Sequence, residues 1–97
     1  MTTHSIVTLV GTDISSRTRA RWLREQIVDS GDECLIDFGG VRSVSHSFAD
    51  ECFAVLVVEH GETWFREHIK LLNCPTAIRE TILEAILQRL ESLHPTN

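Results

Sequence analysis

The chain has 97 residues, 42% of them apolar and 24% charged, and a formal net charge of −5. That length holds one domain, and the composition is that of an ordinary globular protein. The acidic balance argues against a nucleic-acid binder, which draws its affinity from a cationic surface.

The longest wholly apolar run covers residues 53–58, far short of the roughly 20 residues a membrane span needs. The start Met1-Thr2-Thr3-His4-Ser5 carries no basic segment ahead of an apolar one, so a cytoplasmic protein without a membrane partner is expected. Cys34, Cys52 and Cys74 are odd in number and lack C-x-x-C spacing, so neither a disulfide framework nor a zinc knuckle is indicated. The expectation is reduced thiols in the core and no cofactor.

In chain order, residues 5–10 form a β-branched-rich run stopped by Gly11, which predicts the first strand. A helix follows, capped by Ser15 or Ser16 and ended by Gly31, with Ala20, Leu23 and Ile27 on one buried stripe. Arg17, Arg21 and Arg24 cluster beside that stripe, either as a solvated face with Arg21 paired to Glu25 or as a secondary interface. Trp22 points away from the stripe and either covers a sheet edge or anchors a partner.

Residues 34–38 are too few for a globular helix and end at Gly39-Gly40, which predicts a strand and a tight loop. Ser47, with Asp50 three residues on, has the spacing of a capping box, so the next helix is expected to open on Ser47. It runs to about His60 and is apolar on two sides. Phe48, Ala49, Cys52, Phe53 and Leu56 form the wide face, and Ala54, Val55 and Val58 a second one with no evident cover, which suggests homodimerisation or a partner there.

Residues 62–67 predict a short helical turn that brings Trp64 and Phe65 to the core margin, and residues 68–72 a third strand. Asn73-Cys74-Pro75 is a loop before a last helix opening at Pro75 or Thr76, with Ile78, Ile82, Leu83, Ile86, Leu90 and Leu93 as its stripe. Residues 94–97 are expected to fray. Strand and helix alternate, which points to a small α/β domain: a mostly parallel sheet of three or four strands with three main helices.

Single residues carry several chemical readings. Asp37 at a strand end is either a phosphoacceptor or base, or a carboxylate fixed by N–H groups of the following loop. His46 serves either in acid–base chemistry or as an exposed contact at a helix N-terminus. Asp50 and Glu51 are consecutive on a helix and cannot face each other as a catalytic pair. His46, Cys52, His60, His68 and Cys74 show no ligand spacing that would make a metal site.

The pattern Ile36-Asp37-Phe38, Val41 and Ser45-His46-Ser47-Phe48-Ala49-Asp50-Glu51 resembles the STAS-like family of small prokaryotic domains of unknown function. Ser16-Arg17, Ala20, Leu23, Ile69, Asn73, Ile78 and Ile82 extend the resemblance to about residues 11–89 of a single 97-residue domain. The family is similar to the STAS domains of anti-sigma-factor antagonists. There the equivalent loop holds an Asp-Ser-Ser motif whose first serine a partner kinase phosphorylates, whereas this chain sets Ser45, His46 and Ser47 at those three positions.

The resemblance implies a non-enzymatic regulatory module that presents residues 45–51 to a protein partner, such as a kinase-like ATPase or a transcription regulator. The alternative is a small enzyme or ligand-binding domain using His46 and Asp37. The lack of any G-x-x-x-x-G-K or G-x-G-x-x-G stretch weighs against a nucleotide enzyme.

Overall fold

A computed structural model describes residues 2–6, 13–14, 16–31 and 33–93. Among the described residues, five short strands and four helices follow in the order β1 (Thr2–Ser5), β2 (Asp13–Ile14), α1 (Arg17–Ser30), β3 (Cys34–Asp37), β4 (Ser43–Val44), α2, α3 (Glu62–His68), β5 (Ile69–Leu72) and α4 (Thr76–Leu93). The rod α2 passes without a break through His46–Ala49, a π-helical turn at Asp50–Ala54, and Val55–His60. The α/β expectation holds, with three long helices and the short α3.

β1, β3 and β5 make a parallel sheet with β3 in the middle, and β2 pairs in parallel with β4 apart from it. In the sheet His4 lies beside Ile36 and Ile36 beside Leu71. Burial alternates along β3, with Cys34 and Ile36 inside and Leu35 and Asp37 half-buried, the period of two expected of a strand with one core face. The first strand is a correction: it covers Thr2–Ser5 rather than residues 5–10. That register carries Ile6, at the strand's end, into the core, while the rest of the expected run lies outside the described residues.

α1 forms as its sequence predicts. Ser16 Oγ accepts from the Arg19 N–H, and Gly31 closes the other end at φ 64°, the left-handed conformation that glycine adopts without a Cβ penalty. Ala20, Leu23 and Ile27 are all buried. After β3 the Val41 N–H bonds the Phe38 carbonyl at 2.9 Å, with Gly40 at φ 82° in the third position of the turn, as a type II turn requires.

Both flanks of α2 are packed, because its π-helical turn contacts α1 and α4. Phe48, Ala49, Cys52, Phe53 and Leu56 are fully buried, as the wide apolar face predicts. The expectation that the second face lacks cover is corrected: Ala54 is also fully buried and Val55 half-buried, so of the three only Val58 is exposed. Phe53 ties the layers together, with its ring 6.2 Å from Phe38 and 6.3 Å, edge-on, from Phe65.

Trp64 and Phe65 sit at the core margin as expected, but His68 closes α3 instead of opening β5. In α4 the buried positions are Ile78, Ile82 and Ala85, with Ile86 packed at the edge. Leu83 and Leu93, expected in that stripe, are each 52% exposed. The expectation of a frayed tail at 94–97 lies outside the described residues.

Candidate functional site

The turn between β4 and α2 is built from its cap. Ser45 stands at φ −71° and ψ 156°, outside the helix, and its Oγ accepts from the Phe48 N–H at 3.1 Å. Ser45 is therefore the cap, not Ser47, and a serine cap contributes about 1 kcal/mol relative to alanine. Ser47 lies half-buried inside the first helical turn, while His46 is exposed. Asp50 takes no part in a capping box, because its carboxylate is engaged elsewhere.

Beneath this turn three arginines converge on two carboxylates. Arg89 of α4 clamps Asp50 through both ends of its guanidinium, Nε to Oδ1 at 2.8 Å and Nη2 to Oδ2 at 2.6 Å. Arg17 of α1 donates to the same Asp50 Oδ2 at 3.2 Å and lies 3.5 Å from Glu51 Oε1. Arg24, about two turns further along the same face of α1, donates to Glu51 Oε2 at 2.6 Å and also to the Glu51 backbone carbonyl. Two-pronged, charge-assisted bonds of this kind fix geometry as well as charge.

The cluster stands at the start of the π-helical turn, where the Val55 N–H reaches back five residues to the Asp50 carbonyl. Such turns insert extra backbone into a helix and are found often at functional positions. Here Asp50 ties α2 to both α4 and α1, and Glu51 ties it to α1 alone.

The charges follow the geometry. The Arg89 guanidinium holds the Asp50 carboxyl below its usual range against the opposing effect of burial, and Arg17 adds to it. Arg24 does the same for Glu51, with smaller contributions from Arg21 and Arg17. Reciprocally, Asp50 raises the pKa of Arg89. Arg17 and Arg24 are thus committed to holding α2, while Arg21, exposed between them, adds only its field to Glu51. Trp22 stays 39% exposed.

Beside the turn, His46, Asp50, Gln88, Arg89, Ser92 and Leu93 line an open cleft of about 290 Å³. Asp37 does not reach it. Its Oδ1 accepts from the Gly39 N–H at 2.8 Å and from Asn73 Nδ2 at 3.0 Å, and these two bonds, Asn73 first, hold its carboxyl below the usual range. The loop-fixed reading of Asp37 is the one the structure shows. Asn73 takes φ 51°, a left-handed conformation that asparagine tolerates better than most residues.

The thiols are reduced as expected, with Cys34 and Cys52 buried and Cys74 half-buried. Burial pushes the Cys52 thiol strongly up, which leaves it protonated and unsuited to nucleophilic attack. His60 and His68 stack on opposite sides of Trp64, with ring centroids 4.3 and 4.7 Å away. No group of three His, Cys, Asp or Glu residues placed to hold a metal occurs among the described residues.

Sequence reasoning missed Arg89. The signal was present: at about 100° per residue, Arg89 falls in the same arc of α4 as Ile78, Ile82 and Ala85. A cation centred on a core-facing arc calls for an acid on the opposing helix.

A small parallel sheet with a capped, cross-braced helix at its carboxyl side defines a compact α/β domain with no nucleotide-cradling loop among the described residues. The chain belongs to the family described as the STAS-like domain of unknown function (DUF4325), whose model matches residues 19–79. No curated protein and no solved structure matches the chain. No helix among the described residues is long and apolar enough to cross a membrane.

Proposed function

We propose that this domain is a non-enzymatic regulatory module that presents the turn Ser45-His46-Ser47 to a protein partner. The observation that carries the reading is the bracing of an exposed turn. His46 stands free beside the cleft while the residues under it are pinned by the Ser45 cap and by the clamp of Arg89 and Arg17 on Asp50. A rigid, exposed contact loses little entropy on binding.

Asp50 and Glu51 then serve as positioning residues rather than contacts, since their charges are already neutralised within the domain. Trp22 is the exposed aromatic on α1. The similarity to anti-sigma-factor antagonists favours a kinase-like ATPase as the partner class.

A phosphate on Ser47 would add about −1.5 to −2 charges at the positive end of α2. Because Asp50 is neutralised by two arginines, the helix accommodates that dianion, and the effect falls on a partner docked against a neutral turn. Affinity capture from the native host with wild type, His46→Ala and Ser47→Asp tests the reading. All three should fold, and the two variants should lose most of a partner that wild type retains. Equal retention of the same partner by all three would contradict it.

The alternative, an enzyme using His46 and Asp37, has less support. The cleft beside His46 is lined by other residues, and Asp37 is held away from it in its own loop, with Oδ1 accepting from Gly39 and Asn73.

A further inference from the structure

On the side of α4 away from Arg89, the helix carries a second apolar arc that the core does not use. Leu83 is 52% and Leu87 59% exposed, and with Leu90 they follow the i, i+4, i+7 spacing of a helix-packing seam. These leucines, with Ile86, Phe65 of α3 and Val57 of α2, line a groove of about 320 Å³. At its α3 edge Glu62 and Arg66 neutralise each other in an ion pair.

The other edge is charged. At about 100° per residue, Glu80, Glu84 and Glu91 fill the roughly 60° of α4 next to the leucine arc. All three are exposed, and among the described residues none finds a basic partner. An apolar floor between two helices, with one neutral edge and one acidic edge, has the shape and charge of a helix-receiving groove.

We propose that this groove docks an amphipathic helix of another protein that carries lysine or arginine along one edge of its leucine-like stripe. A second copy of this chain fits worse. A two-fold axis that sets α4 antiparallel to its copy keeps the same edge of both helices on the same side, so the glutamates would face glutamates. Like charges brought together in this way oppose association. The proposal is independent of the surface at His46, because it rests on a different face of α4.

The test uses two synthetic helical peptides with an identical leucine stripe, one flanked on a single edge by lysine and the other by glutamate. Binding to the full chain is read by fluorescence anisotropy at two salt concentrations. The lysine peptide should bind, the glutamate peptide about tenfold more weakly, and the preference should shrink at high salt. Leu87→Glu, at an exposed position, should fold and lose binding, and Glu84→Lys with Glu91→Lys should reverse the preference. Equal binding of both peptides, no binding of either, or an unchanged preference in the double variant would overturn the proposal. So would a dimer in sedimentation that Leu87→Glu dissociates, because the occupant would then be a second copy.

Discussion

Asp50 and Arg89 show what a single pair of residues settles in this domain. The carboxylate is visible in the sequence but points to the wrong partner there, because Ser47 has an acid, Asp50, at capping-box spacing, whereas Ser45 has Phe48 at that position. The hydroxyl nearest the helix start won the cap, and the acid went to a guanidinium 39 positions away in the chain. That partner lies in another helix, where no local spacing rule reaches it.

The same pair sets a pH dependence. The folded pKa values of Asp50 and Glu51 both lie below their ordinary values, which are about 3.9 and 4.3 in unfolded chains. Their contribution to stability is therefore complete above that range and is lost as pH falls through the lower, folded values. Denaturant midpoints should drop as pH falls below about 5, and Asp50→Asn with Glu51→Gln should flatten that drop while lowering the midpoint at neutral pH. An acid limb of unchanged steepness in the double variant would remove the cluster from the stability account.

The elements were legible where one periodicity dominated and were blurred where two overlapped. The limits of α1 could be read because cap, stripe and terminal glycine agree. In α4 the sequence shows a single broad apolar stripe, whereas the helix has two arcs: Ile78, Ile82 and Ala85 inward, and Leu83, Leu87 and Leu90 along the groove. The π-helical turn at Asp50–Ala54 has no signal in the sequence. Ile82→Ala should cost roughly 2–5 kcal/mol, while Leu83→Ala should stay within about 0.5 kcal/mol of wild type. Equal losses measured by denaturant unfolding would return Leu83 to the core.

For the whole molecule, alternation of short strands and helices sufficed to predict a small parallel α/β domain, and the residues around Asp37 and Ser45 sufficed to place it in its family. The position of β1 was less legible. Residues 2–5 are polar and carry no hydrophobic alternation of their own; their place depends on pairing with β3, a long-range fact. The exposed apolar faces were also misjudged, because the cover of Ala54 comes from helices whose packing the sequence does not order.

The central claim is that partners read the braced Ser45-His46-Ser47 turn. Its most direct measurement is an amide NMR titration of the labelled domain with the partner captured from the host. The account predicts that the largest shifts fall on residues 45–47 and on Gln88 and Ser92 across the cleft, and that they vanish in His46→Ala. Shifts confined to other surfaces, with the amides of residues 45–47 unmoved at saturation, would contradict it.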